Sequence, residues 1–295
     1  MAQPSANTNC RITECPRDAM QGITDFIPTE RKIEYLNALL KVGFGRLDFG
    51  SFVSPKAIPQ MQDTAKVLDS LDESANTDLI AIIANFRGAT DASAFDRISF
   101  LGYPYSVSET FQHRNTNSNI VSSFNELLRI KDVADKNGKD VLVYISMAFG
   151  NPYGDEYSST LVLEHMERLN QNGFSHFALA DTVGLATPIE VTELVKQVLK
   201  QFSKCDIGVH LHCRPDNWRD KVEAAYQAGC RNFDSALGGF GGCPMAGDDL
   251  VGNLSTEMLI QYLTENHVPI GLNLDTLHQA RKISSTIFSK SNLNA

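Results

Sequence analysis

His210 and His212 close an apolar run, Ile207-Gly208-Val209-His210-Leu211-His212, that reads as a β-strand. Residues two apart on a strand share a face, so these imidazoles stand about 6–7 Å apart along it. Two imidazoles on one face can close on a single metal ion, and a packed core has no need of that arrangement. One carboxylate and one amide oxygen would complete a mixed nitrogen and oxygen donor set. With water or substrate in the remaining positions, such a set suits an octahedral cation such as Mg²⁺ or Mn²⁺ better than a structural zinc. Such a cation polarises a hydroxyl or carbonyl oxygen and promotes its deprotonation near neutral pH. Arg17, beside Asp18, offers a fixed positive charge to an oxyanion or enolate formed nearby. The segment Gly238-Gly239-Phe240-Gly241-Gly242-Cys243-Pro244-Met245-Ala246-Gly247 is glycine-rich enough for an active-site lid. Its thiol, Cys243, could reach a substrate and transfer a proton.

These groups lie far apart in the chain, so a scaffold must gather them. Short Val/Ile/Leu-rich runs alternate with amphipathic stretches throughout, which predicts strands at 11–15, 46–49, 79–84, 97–101, 140–147, 176–180, 207–212 and 232–236. Helices are predicted at 29–42, 119–137, 158–172, 188–202 and 216–228, with starts at Pro28-Thr29-Glu30, Ser158-Ser159 and Thr187-Pro188 and stops at Gly43, Gly138, Gly173 and Gly229. Eight strands, each followed by a helix, with no break in composition, predict the α/β class and a (β/α)₈ TIM barrel. The whole chain reads as a single domain, with the barrel over about 11–265 and a short C-terminal helical extension over 266–295. An open doubly wound sheet is the alternative, but the glycine-rich fingerprint after its first strand is missing. Barrel enzymes place their sites at the C-terminal ends of the strands. The polar residues converge there: Arg17 and Asp18 after strand one, Asp48 at the end of strand two, Asp181 after strand six, His210 and His212 on strand seven, and Asn253 after strand eight.

Composition narrows the partners. The 295-residue chain is 42% hydrophobic and 21% charged, with a net charge of −9 and no basic run, which argues against nucleic acid. No apolar segment approaches the roughly 18–20 residues that cross a bilayer. Residues 1–8 have neither a secretory core nor an Arg-rich helix, and predict a short lead-in to a cytoplasmic protein. The six cysteines lack the spacing of zinc modules and the density of a disulfide scaffold, so apart from Cys243 they read as reduced, mostly buried thiols. Trp218 and the His113-Arg114 pair read as surface or packing residues, and His165, His176, His267 and His278 show no partner pattern.

From Ile12 to Glu257 the motifs resemble the 3-hydroxy-3-methylglutaryl-CoA lyase family, within a larger group of metal-dependent barrel lyases and condensing enzymes. The resemblance rests on Pro16-Arg17-Asp18 with Gln21, Ser51-Phe52-Val53-Ser54-Pro55-Lys56 followed by Pro59-Gln60-Met61, and Asp181-Thr182-Val183-Gly184. It continues through His210-Leu211-His212, Gly241-Gly242-Cys243-Pro244, and Gly252-Asn253-Leu254 with Thr256-Glu257. It implies a divalent cation, Mg²⁺ or Mn²⁺, held by Asp18, His210, His212 and Asn253, and an acyl-CoA substrate. It implies catalytic roles for Arg17, which steadies the acetyl thioester enolate, and for Cys243, which helps protonate it. His210, the strand-two carboxylate Asp48 and Asp181 join that set, Asp181 by positioning substrate or assisting proton movement. The implied reaction is a retro-Claisen cleavage to acetyl-CoA and acetoacetate, and the implied assembly is a homodimer.

The chain departs from the family pattern in four places. Asp48-Phe49 stands where the family has Glu-Thr, Cys213-Arg214-Pro215 follows His212 where the family has Asp, and Gly150-Asn151-Pro152-Tyr153 replaces Gly-Cys-Pro-Tyr. The loop from Cys243 to Asn253 is about one residue longer. Two rivals follow: a synthase or aldolase joining acetyl-CoA to a 2-oxo acid on the same ligand set, and a non-catalytic homologue that binds metal or acyl-CoA. Cys243 in its glycine loop speaks against the first, and the altered strand-two carboxylate is the main support for the second.

Overall fold

A computed structural model describes residues 9–74, 76–242 and 251–289. Eight parallel strands close in sequence order into a barrel: β1 (Arg11–Glu14), β2 (Arg46–Ser51), β3 (Asp78–Ile82), β4 (Ile98–Ser106), β5 (Asp140–Ser146), β6 (His176–Asp181), β7 (Asp206–Leu211) and β8 (Asn232–Ser235). Around it lie α1 (Pro16–Gln21), α2 (Thr29–Leu40), α3 (Thr64–Asp69), α4 (Phe86–Ser93), α5 (Glu109–Thr116), α6 (Ile120–Lys136), α7 (Ser159–Gln171), α8 (Pro188–Gln201), α9 (Trp218–Gln227), α10 (Thr256–Glu265) and α11 (Leu274–Ile287). The TIM barrel expected from the alternating pattern is therefore present, and α11 is the helix of the C-terminal extension. No helix among the described residues is long and apolar enough to cross a membrane.

Strand periodicity divides the interior into two layers. Ile80, Ile82, Phe100, Leu142, Tyr144 and Ala178 form a small separate cluster inside the barrel. Their neighbours Leu79, Ala81, Leu101, Val141, Val143, Phe177 and Leu179 point outward into the larger core against the helices. Several helix starts are fixed by Ser, Thr or Asn side chains. Ser158 caps α7, Asn119 caps α6, and Thr187 with Glu190 forms a full capping box on α8.

The N-terminal floor of the barrel is a charge cluster centred on Asp206. It bonds Arg11, Arg46 (2.8 Å), His176 (3.2 Å) and Asn232 (2.7 Å), and Arg46 lies 4.0 Å over the Phe100 ring. Burial works against the charge, but the His176 bond and the two arginines outweigh it and hold the Asp206 carboxyl far below its usual range. His176, which shows no partner pattern in the sequence, is part of this floor. Asp206→Ala leaves the buried Arg46 unpaired, and we expect a loss of about 3 kcal/mol, at the low end for a broken buried pair because Asp206 keeps some solvent access. Urea unfolding of the two proteins checks this, and an unchanged midpoint would contradict it.

Several boundaries differ from expectation. Strand β4 runs on to Ser106, past Gly102 and Pro104, residues that disfavour strand locally. Barrel closure overrides that preference, because β4 pairs residue by residue with β5 from Phe100–Asp140 to Ser106–Ser146. Strand β7 ends at Leu211, so His212 lies one residue beyond it, in an isolated antiparallel bridge to Asn253. The helices α1, α3, α4 and α5, six or eight residues long, are too short to be read from sequence periodicity.

Candidate metal centre and active site

Helix α1 follows β1 directly, with Pro16 as its first residue, and turns Arg17 and Asp18 over the C-terminal mouth of the barrel. Asp18, His210 and His212 bring one ligand atom each within 4.8 Å of one another. The His210 and His212 Nε2 atoms are 3.3 Å apart. Asn253 completes the group from the other side, its Nδ2 donating to Asp18 Oδ2 at 2.7 Å. A carboxamide offers either of its heteroatoms, so Asn253 fits as the amide donor. Two imidazoles, a carboxylate and an amide converging at the mouth of a cavity match the donor chemistry of an octahedral divalent cation.

Asp18 is held in its ionised form. Burial alone would raise its pKa, but Arg17, followed by His210 and His212, brings it down to about 2. Arg17 Nη1 and Gln21 Nε2 both donate to Asp18 Oδ1, at 2.9 and 3.0 Å. His210 Nδ1 donates to Asp234 Oδ2 at 3.1 Å; burial works against the charge, but this bond together with the charges of Asp234 and Asp18 outweighs it and raises the His210 pKa. A carboxylate behind a metal-facing imidazole fixes the tautomer and directs the other nitrogen forward. His212 shows the opposite sign: burial, then the neighbouring His210, lowers its pKa to about 3 and keeps its ring neutral.

The ligands open on a cavity of about 250 Å³, lined by Arg17, Asp18, Gln21, His210 and His212 on one wall. Val53, Ile58, Ile82, Pro104, Phe111 and Tyr144 make the rest largely apolar. Gly241 runs against this wall: with φ +99, its position leaves a Cβ only 2.6 Å from Asn253 Nδ2 and 2.9 Å from the Asp18 carbonyl. Only glycine lets the backbone pass there, and this accounts for part of the glycine-rich sequence before Cys243.

The other expected site residues fall in different places. Asp48 lies inside β2 and does not line the cavity. It accepts from Arg17 through Nε (3.1 Å to each oxygen) and Nη2 (2.5 Å). Arg17 is shared between Asp48 and Asp18, so burial prevails at Asp48 and keeps its carboxyl above the usual range, while Arg17 itself stays charged. Asp181 closes β6 but is turned away from the cavity, where Lys221 Nζ donates to it at 2.7 Å. Both side chains are 1% exposed. The Asp181 charge is committed to an internal ion pair with Lys221. Cys243 lies outside the described residues. Cys10, Cys15, Cys213 and Cys230 are buried free thiols, with Cys213 pushed up to about 12 by burial, which suits unreactive packing.

Sequence reasoning missed Asp234, Tyr144 and Lys221. Period-two spacing on β8 and β5 would have placed Asp234 and Tyr144 inside the barrel. The Tyr144 ring stands edge-on to His210 at 5.8 Å, and its buried hydroxyl has no hydrogen-bond partner among the described residues.

Comparison with known proteins agrees with this geometry. The HMGL-like family model matches residues 11–283. The mitochondrial hydroxymethylglutaryl-CoA lyase of Bos taurus is 32% identical over 267 residues, 90% of this chain and 81% of that protein. An (R)-citramalyl-CoA lyase of Chloroflexus aurantiacus is 30% identical over 276 residues, 90% and 86% of the two chains. Among solved structures, an HMG-CoA lyase from Acinetobacter baumannii, in complex with coenzyme A and 3-methylmalate, superposes with a TM-score of 0.89 at 31% identity, covering 95% of this chain and 91% of that one. With the family model matching residues 11–283 and relatives of 30–32% identity spanning 90% of its length, the chain belongs to the HMGL-like family, together with these carbon–carbon lyases.

Proposed function

We propose that this protein cleaves 3-hydroxy-3-methylglutaryl-CoA to acetyl-CoA and acetoacetate, with Asp18, His210, His212 and Asn253 holding Mg²⁺ or Mn²⁺. The observation that carries the reading is the convergence of Asp18, His210 and His212 within 4.8 Å beside Arg17 in one cavity. When bound, the divalent cation supplies Lewis acidity to the substrate's tertiary hydroxyl and eases its deprotonation. Loss of that proton drives cleavage of the bond between C2 and C3, leaving a ketone on C3 and the electron pair on C2, next to the thioester carbonyl. Arg17, held by Asp48, presents a permanent charge to the enolate oxygen formed there. Cys243 would then protonate C2. The apolar walls exclude water from the carbanion. A homodimer in the cytoplasm belongs to the same reading.

A closely related substrate has independent support. The citramalyl-CoA lyase is nearly as similar to this chain as the hydroxymethylglutaryl-CoA lyases are. On (R)-citramalyl-CoA the same bond cleavage would release pyruvate in place of acetoacetate. The deciding experiment supplies both thioesters to chelator-treated protein with and without Mn²⁺, and measures acetoacetate and pyruvate. We expect Mn²⁺-dependent acetoacetate release, abolished in His210→Ala and strongly reduced in Cys243→Ala. Pyruvate as the main product would move the substrate to the shorter acid. Cleavage that survives His210→Ala would remove the metal site from the reaction.

A further inference from the structure

We propose that Lys221 is a positioning residue that sets the direction of the His212 ring, and hence the affinity of the site for its cation. This rests on the reading of Asp18, His210, His212 and Asn253 as the metal centre.

Lys221 sits on the inner face of α9, 1% exposed, and all three of its ammonium protons have acceptors. They go to Asp181 Oδ2 at 2.7 Å, the Gly184 carbonyl at 3.0 Å and the His212 carbonyl at 3.0 Å. One side chain thus ties the end of β6, the loop after it and the end of β7. The remaining Asp181 oxygen accepts from the Ala186 backbone at 3.1 Å, so the carboxylate is anchored and holds the ammonium in place.

The same cluster reaches the His212 ring. Gly184 adopts φ +70, and a Cβ there would lie 2.9 Å from Val251, so Val251 packs directly on the loop that Lys221 holds. The Val251 backbone in turn hydrogen-bonds His212. Cys213 N donates to Gly252 O at 2.9 Å and Leu254 N to Leu211 O at 3.0 Å, so the segment carrying Asn253 is bound to the same strand end. His212 lies just past the last β7 residue, where the isolated bridge to Asn253 takes over from the barrel ladder. Lys221 adds to that bridge a side-chain hold on the His212 carbonyl. A buried ion pair is a weak source of net stability, because desolvation offsets the attraction. What it provides here is direction: three acceptors from three segments fix one point beneath a metal-facing histidine.

The test removes the clip without leaving a buried charge unpaired. Replacing both partners, Asp181→Asn with Lys221→Met, keeps volume and charge balance, and such neutral replacement of a buried pair is commonly tolerated. We expect Mn²⁺ affinity, measured by titration calorimetry on the chelator-treated protein, to fall about 10–100-fold, the range typical for partners that orient metal ligands. The ¹⁵N resonances of the His212 ring in the metal-free protein should shift or broaden, while those of His165 and His176 stay in place. Asp181→Asn with Lys221→Gln keeps a neutral donor beneath the His212 carbonyl. It serves if the first variant does not fold, and it should recover part of the affinity. Wild-type affinity with unmoved His212 resonances in either folded variant would overturn the proposal. If wild type and His210→Ala bind Mn²⁺ equally, the metal centre is wrong. The His212 resonances then still decide whether Lys221 orients the ring.

Discussion

Arg17→Gln is expected to lower kcat on the cleaved thioester by roughly 10³-fold, the scale of losing one charge that stabilises a developing oxyanion. The same change should leave Mn²⁺ affinity undiminished. Arg17 donates to Asp18 Oδ1, the carboxylate that faces the histidines, so its positive charge competes with a cation for that ligand. Removing it weakens nothing in the donor set. This split between turnover and binding distinguishes a charge used in the transition state from one that only builds the site. Arg17 is also the bidentate partner of Asp48, so a stability loss must be separated from a catalytic one. Asp48→Asn combined with Arg17→Gln removes the unpaired buried carboxylate. We expect the double variant to regain the melting temperature of the wild type and not its kcat. Recovery of kcat in the double variant would reduce Arg17 to a counterion for Asp48. Loss of Mn²⁺ binding in Arg17→Gln would instead make it part of the metal centre. The outcome bears on Asp48 as well, because the structure gives that residue contact with the reaction only through Arg17.

The parts of this site that can be read in the sequence share one property: they sit where local rules fix direction. His210 and His212 are legible because strand periodicity and residue type agree, and Arg17-Asp18 because they follow the first strand at a barrel's functional end. The eight strands are legible for the same reason, as short buried runs between amphipathic helices. What stays hidden depends on contacts between distant segments. Asp181 looks the same in sequence whether it faces a substrate or an ammonium, and only the packing of α9 on β6 decides. Lys221 lies between Asp220 and Val222 in an ordinary helix, and nothing local marks it as buried. Asp234 is an acid on a short strand until the barrel closes and puts His210 across from it in register. Strand β4 reads short in the sequence because Gly102 and Pro104 are poor strand residues, and the pairing that overrides them lies on β5.

Glu14→Gln is expected to remove a large pH dependence that one buried side chain contributes to stability. Glu14 is fully buried and faces outward from β1 into the layer beneath α10. Its Oε1 accepts from Leu237 N at 2.8 Å, and its Oε2 is 2.5 Å from Thr256 Oγ1, which also lies 2.8 Å from Ser235 Oγ. No cation meets it in these bonds, and burial outweighs them to push its pKa up to about 8. The folded protein therefore keeps a proton that the unfolded chain releases above about 4.5, the ordinary value. The native state binds more protons than the unfolded state across that interval, so stability falls as pH rises from about 4.5 to about 8 and levels off above it. Every tenfold difference in proton affinity between the two states is worth about 1.4 kcal/mol. A neutral amide reproduces the protonated acid, with its oxygen accepting from Leu237 N and its nitrogen donating to Thr256. The variant should match the wild type in urea unfolding at pH 4.5 and exceed it by several kcal/mol at pH 9. An equal difference at both pH values would refute the assignment. The consequence reaches the active site, because Leu237 opens the turn into the glycine-rich segment that leads to Cys243, and Gly238 N is held in parallel by Glu257 at 2.9 Å. Ionising Glu14 places an uncompensated buried charge at the base of that segment, so cleavage activity should fall on the alkaline side in the wild type and fall less in Glu14→Gln.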